Sequence, residues 1–430
     1  MIETLNTQCL CLSLERADLQ RALESDPAAH GLYRVIEERC PHLFAALPVF
    51  VSRGHVDAMA ELIRAVETVV ALSAYRESLA WMPEIARFDS GARGVFMGYD
   101  FHLGPQGPRL IEINTNAGGA MLNAVLGRAQ RACCEEVAAL ENGPIPAAAL
   151  EQAFVDMFAA EWRAGGRAGL PRRIAIVDDE PQRQFLYPEF LLFAQLFRRF
   201  GIDGVVLAPE ALAFDGEVLR DAAGPIDLVY NRLTDFALEA PAHAALRASY
   251  LAGAAVVTPH PRAHALYADK RNLSLLTDGA RLRSWGVAPP VVETLLRGVA
   301  RTEVVHADAA ERLWTGRRQL FFKPASGHGS KAAYRGDKLT KRVWAEILAG
   351  DYVAQELVPP SERRTGPESS MKVDVRNYVY AGEVQLLAAR LYQGQTTNMR
   401  TAGGGFAPVL TTPSGSGDVE LLMGRNLASA

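Results

Sequence analysis

The segment Leu110-Ile111-Glu112-Ile113-Asn114 puts the tightest limit on what this chain can fold into. Three apolar residues interleaved with a carboxylate and an amide read as a short strand buried on both faces. A lone glutamate in such a strand is costly unless something pairs with it. Glu112 and Asn114 are two apart, so their side chains leave the same face. Upstream, residues 94–103 read as a second strand, and Gly104-Pro105-Gln106-Gly107-Pro108 is the turn between them. The hairpin brings Asp100 within reach of the face that carries Glu112 and Asn114. Three hard oxygen ligands gathered this way suit Mg²⁺, which takes one or two carboxylates and fills its other positions with water and phosphate. The alternative is a hairpin with ordinary solvated acids, and the apolar flanks count against it.

Around this hairpin the sequence changes character twice. Residues 15–85 look helical, with Val56, Met59, Leu62, Ile63, Val66, Val69 and Val70 forming one apolar stripe. Gly118-Gly119 breaks the hairpin and a helix follows to about residue 140. Polar links at 141–146 and 163–171 lead into strands at 173–177, 204–207, 226–230 and 254–257, with an amphipathic helix at 185–200. Strands alternating with helices predict a small, mostly parallel, Rossmann-like sheet. After Pro261 come helical segments around 266–277, a strand at 319–323, a glycine-rich loop, a helix at 341–348, a short strand at 352–356, and two longer strands at 372–380 and 383–392. The expected units are 1–150 (helices and hairpin), 171–262 (the Rossmann-like unit) and 263–425.

The last unit carries the remaining chemistry. Lys323 ends an apolar strand and faces the loop Ala325-Ser326-Gly327-His328-Gly329-Ser330. Glycine lets backbone N–H groups approach phosphate closely, and the lysine adds a point charge. The spacing is not that of a Walker loop. Lys270 opens a helix, where a cation opposes the helix dipole but would suit a bound anion; a simple exposed lysine is the other reading. The strand Tyr352-Val353-Ala354-Gln355-Glu356 and the following Leu357-Val358 could offer backbone groups to an adenine edge, or be plain core. Arg376 and Arg390 fall on adjacent strands, where charges are paired or gathered round an anionic ligand. Asn398 and Arg400 lie in a glycine-rich loop.

Taken in order, Lys270, Lys323 with its loop, Gln355-Glu356-Leu357-Val358, Asp374-Val375-Arg376 and Asn398-Met399-Arg400 resemble the ATP-grasp family over residues 265–408. Most members carry their acidic, E-x-N metal strands after these motifs. Here Asp100 and Glu112-Ile113-Asn114 precede them, which resembles the order of eukaryotic-type glutathione synthetase and, more distantly, glutathionylspermidine synthetase. Val229-Tyr230-Asn231-Arg232 is similar to a substrate strand of that enzyme. The loop departs from it, because residues 326–330 offer no acid to complete the metal site. The resemblance implies an α/β (α+β) ATP-grasp fold with a permuted metal hairpin, a Rossmann-like domain and an N-terminal helical region. It implies ATP bound by Lys270, Lys323, Ser326, Gly327, Gly329, Gln355, Glu356, Val358 and Asn398, and Mg²⁺ on Asp100, Glu112 and Asn114. Arg232 would meet a substrate carboxylate, and Arg376, Arg390 and Arg400 would act in catalysis. The expected activity is carboxylate–amine ligation through an acylphosphate, with a kinase or a non-catalytic nucleotide-binding protein as alternatives.

Composition sets outer limits. The 430 residues suggest two or three packed units. A net charge of -4 gives no reason to expect nucleic acid or an acidic membrane as partner. The first 14 residues have neither a basic flank nor a long apolar run, so no signal peptide or membrane span is expected. Cys9, Cys11, Cys40, Cys133 and Cys134 are odd in number and form no CxxC pair, which fits reduced thiols and a cytoplasmic setting.

Overall fold

The computed structural model describes residues 2–411 except 27, 28, 133, 134, 139, 142, 328–331 and 399, with the backbone alone of 135 and 136. Gly329, expected in the phosphate loop, lies outside the described residues. A seven-stranded sheet holds the middle, in the order Val49–Phe50, Gly405–Leu410, Glu383–Tyr392, Ser370–Tyr380, Met97–Gly104 and Gly107–Asn114. A further strand, Ser361–Arg364, pairs with the start of Ser370–Tyr380. All pairings are antiparallel except Val49–Phe50 against Gly405–Leu410. Ser370–Tyr380 and Glu383–Tyr392 form a hairpin because Ala381 and Gly382 both take positive φ, the geometry that matches strand twist. The hairpin of Met97–Gly104 and Gly107–Asn114 extends this sheet, with Arg376 directly opposite Asp100.

The apolar stripe of the first long helix, Arg53–Val70, is fully buried. It covers one face of the sheet, against Tyr99, Phe101, Val373, Val375 and Leu387. Ser52 starts that helix by accepting a hydrogen bond from the His55 N–H. The other face meets helices Ala120–Ala129 and Leu150–Ala164 through Phe96, Phe154 and Phe158. Those rings continue into Phe193, Phe197 and Tyr230 of the neighbouring unit.

That unit is a parallel sheet in the order Val256–Thr258, Leu228–Asn231, Arg173–Val177, Asp203–Leu207. The chain enters in the middle and builds outward both ways, so a topological switch point lies between Arg173–Val177 and Leu228–Asn231. A third sheet has the order Thr302–Val304, Tyr352–Glu356, Leu320–Pro324, Tyr334–Arg335 and is antiparallel. Helix Lys341–Ala349 packs on it through Ile347, next to Phe322 and Ala354.

Several strands were not read from the sequence, among them Tyr334–Arg335, Ser361–Arg364, Val49–Phe50, Thr302–Val304 and Gly405–Leu410. The last begins at the end of the glycine run 403–405. Its neighbour supplies the pairing, and all six of its residues are buried. The helical segment expected around 266–277 is split into a π-helical turn, His264–Ala268, and the helix Arg271–Leu276. Cys9, Cys11 and Cys40 are free thiols. No helix among the described residues is long and apolar enough to cross a membrane.

Candidate active site

A cleft of about 470 Å³ opens between the central sheet and the outer sheet. The hairpin supplies one wall, with Asp100, His102, Glu112 and Asn114. Leu320–Pro324 and Tyr352–Glu356 supply the other, with Lys323 and Gln355. Arg376 and Arg390 form the floor.

The hairpin is bulged. Asp100 opposes Glu112, but Phe101 opposes Leu110, so Ile111 is the extra residue. The Ile111 carbonyl accepts from Lys323 Nζ at 3.1 Å, and Gln355 Oε1 accepts from the same ammonium at 2.8 Å. Gln355 is itself held by the Thr302 hydroxyl. Burial, with Lys270 nearby, lowers the Lys323 ammonium to about 8, although Glu112 pulls the other way. Lys270 precedes its helix, as read from the sequence. Its Nζ lies 3.2 Å from Glu112 and donates to the Gly327 carbonyl at 3.1 Å. Burial alone would raise the Glu112 carboxyl, and Lys270 and Lys323 outweigh that and hold it below its ordinary range.

Asp100 has different surroundings. Both its oxygens accept from Arg376 at 2.6 Å, and Oδ2 also accepts from Arg390 at 2.9 Å and from Asn114 at 3.0 Å. Against the opposing push of burial, the two guanidiniums bring its carboxyl down to about 2. Arg390 also grips Asp374 at 2.6 Å, its direct neighbour across the strands. Gly98 makes room for this cluster, since a Cβ there would sit 3.0 Å from Arg376 Nε.

Several expected site residues take other places. Asn398 and Arg400 are exposed and do not line the cleft. Asn398 folds its side chain onto the Arg400 N–H instead, and Gln395, Thr396 and Thr397 line the wall. Ser326 is exposed and also stands outside the lining, whereas Gly327 is part of it. Glu356 lines the cleft but pairs with Arg109 at 2.6 Å, and the Val358 carbonyl meets His102 Nδ1 at 2.7 Å. His102 and Asp374 were given no role from sequence. The fixed strand register of Asp374 against Arg390 is the signal that finds the second.

Arg232 lies apart from the cleft, at the switch point of the parallel sheet. It is buried, with Nη1 3.3 Å from Tyr230 Oη and its guanidinium 5.2 Å from the Tyr230 ring centre. It forms no ion pair within 4 Å among the described residues, although Glu189 and Asp178 lie near enough to stabilise its charge, and its Nε has no hydrogen bond. Asp178 follows the adjacent strand, and burial pushes its carboxyl up to about 7, with Arg232 pulling it down. The loop 115–118 joins the two places. It runs from Asn114 to Gly118, where an added Cβ would lie 2.9 Å from Arg232. Next to it, Gly119 at φ +101° presents its N–H to Glu189, and a Cβ there would strike the Phe406 ring at 2.1 Å.

No family model and no curated protein matches the sequence. Among solved structures the chain is similar to a glutathione synthetase-like effector from Globodera pallida in its apo form. The identity is 11%, over 85% of this chain and 89% of that one, at a TM-score of 0.53. The chain shares the overall fold of that glutathione synthetase-like protein. Looser likenesses extend to a γ-glutamylcysteine synthetase-like protein from Methylobacillus flagellatus KT, at 12% identity over 84% and 89% of the chains and a TM-score of 0.47. The ATP-grasp ligase PsnB, complexed with minimal precursor, Mg and ADP, is similar at 14% identity over 55% and 87%, with a TM-score of 0.28. In this fold the early hairpin and the late strands meet in one sheet and one cleft.

The residues present fit Mg²⁺ with two protein ligands. Glu112 is a partly exposed carboxylate whose sole ion pair among the described residues is with Lys270. Asn114 spends its amide nitrogen on Asp100, which leaves the carbonyl oxygen as its free end. One carboxylate, one amide oxygen, water and phosphate make an ordinary Mg²⁺ shell. The expected third ligand, Asp100, is instead committed to two arginines.

Proposed function

We propose that this protein is an ATP- and Mg²⁺-dependent ligase that joins a small-molecule carboxylic acid to an amine through an acylphosphate. The observation that carries the reading is the Glu112–Lys270 pair, set in one cleft with Lys323, Arg376 and Arg390. Such a cleft has the volume of a small-ligand site. Its cations match a triphosphate, and its acid and amide match the metal that accompanies one.

Phosphoryl transfer is mostly positioning and charge neutralisation. Lys270 and Lys323 take the phosphate charge. Bound Mg²⁺, held by Glu112 and Asn114, would neutralise the phosphate oxygens further. Arg376 and Arg390, fixed in place by Asp100 and Asp374, offer their remaining N–H groups to the phosphoryl group in transfer. The Val358 N–H has no partner among the described residues and serves the adenine edge. Arg232 holds a carboxylate of the acid substrate. A carboxylate oxygen attacks the γ-phosphorus, the bond to the bridging oxygen breaks, and ADP leaves with that electron pair. The amine nitrogen then attacks the acyl carbon. A C–N bond forms, the bond from carbon to the phosphate oxygen breaks, and inorganic phosphate leaves as the amine proton passes to water.

The test is a panel of amino acids, γ-glutamyl dipeptides and polyamines, read by ADP release and product mass. The acid is ¹⁸O-labelled in its carboxylate. Ligation should deliver one label to phosphate. A stable phosphorylated product without amine would make the protein a kinase, and ATP binding with no turnover across the panel would make it a nucleotide-binding protein.

A further inference from the structure

A second cavity, of about 200 Å³, shares no lining residue with the cleft. It lies between the end of helix Arg53–Val70, residues 89–97, the π-helical turn His264–Ala268 and the strand turn at Ala381. Three guanidiniums border it: Arg76, Arg93 and Arg262.

These cations are poorly matched by acids. Arg76 spends only its Nε, on the Val70 carbonyl at 3.1 Å. Arg262 gives Nη1 to the carbonyls of Ala86 and Arg87, and its Nη2 stands 3.4 Å from the exposed Asp89. The Arg93 side chain has no hydrogen bond or ion pair among the described residues; only its backbone N–H is used, on Glu161. Glu67 is the second acid in the cavity. One of its oxygens accepts from Tyr99 at 2.9 Å and the other from Tyr267 at 2.8 Å. Burial raises its carboxyl, against the pull of the two tyrosines and Arg93. His260 contributes no charge either, since its Nε2 is fixed on the Ala92 carbonyl and its Nδ1 accepts from the Ala263 N–H.

We propose that this cavity binds a small oxyanion, a carboxylate or phosphate group, on the guanidiniums of Arg93, Arg76 and Arg262. The guanidiniums of the exposed Arg76 and Arg93 and the half-buried Arg262 outnumber the carboxylates of Asp89 and Glu67, which leaves spare N–H donors beside a space too small for a nucleotide. Two-oxygen faces are what such forks recognise. The assignment is independent of the ligase reading, because it uses none of that site's residues.

Calorimetric titration of the full chain with inorganic phosphate, and separately with succinate, tests it. At least one should show a saturable component that Lys323→Ala leaves in place. Arg93→Ala should weaken that component about tenfold or more, as expected for a lost charge-assisted contact. Phosphate alone or succinate alone identifies the source of the oxyanion. Thermal melting checks that Arg93→Ala remains folded, and Arg76→Ala serves as the second variant. The proposal is overturned if neither anion binds, if binding survives both arginine variants, or if Lys323→Ala removes all of it.

Discussion

Asp100 and Arg376 face each other directly across two antiparallel strands, and the guanidinium closes on both carboxylate oxygens at 2.6 Å. Arg390 completes the cluster from the next strand. Asp100→Asn would leave two buried cations side by side. It should cost about 3–5 kcal/mol of stability, the usual penalty for stranding a buried charge. The folded carboxyl lies near 2, below its ordinary value of 3.8, so its contribution is complete above that value and is lost as pH falls towards 2. Urea denaturation of wild type and variant checks this, and equal midpoints would remove Asp100 from its anchoring role.

Glu112 should behave in the opposite way. It is partly exposed and holds one lysine. Glu112→Gln is expected to melt within a few degrees of wild type while turnover falls about a hundredfold or more, the several kcal/mol that a bound cation supplies. A variant that turns over at the wild-type rate would end the metal assignment.

Lys323 gives the proposed nucleotide site a pH dependence. Its ammonium is charged below about 8 and loses its proton above it. ATP affinity should therefore be full at pH 7 and fall by up to about tenfold per pH unit above 8. Bound phosphate favours the charged form, so ATP binding near pH 8 should take up protons. Calorimetry in buffers of different ionisation heat measures that uptake. Lys323→Arg should abolish it, because a guanidinium does not titrate in this range.

Arg232→Ala should raise the KM for the carboxylic acid about tenfold or more and leave ATP affinity unchanged. The residue stands at the switch point, away from the nucleotide cleft. Steady-state kinetics with each substrate varied in turn separates the two; a loss confined to ATP would place the acid elsewhere.

Much of this arrangement is legible in the residues. Glu112 and Asn114 stand out because apolar neighbours make a carboxylate expensive, and Tyr352–Glu356 and Glu383–Tyr392 are bounded by their own patterns. The partners of Asp100 were not legible. Which arginine meets which acid depends on how Met97–Gly104 and Glu383–Tyr392 register against Ser370–Tyr380, a pairing across hundreds of residues that no local pattern fixes. Asn398 stands outside the cleft lining because a local turn onto the Arg400 N–H takes up its side chain, which no pattern in the sequence announces. Gly405–Leu410 was missed because its glycine and proline obscure a strand that only its neighbour defines.

The central sheet also imposes an order on biosynthesis. Met97–Gly104 emerges from the ribosome early, yet the strand that pairs with it, Ser370–Tyr380, is translated hundreds of residues later. Until then the hairpin keeps an unsatisfied strand edge, which invites pairing with other nascent chains. A polypeptide released before residue 370 carries that edge permanently. Aggregation of such truncated chains, and their retention by chaperones, is the expected cost of placing two parts of one cleft hundreds of residues apart in the message.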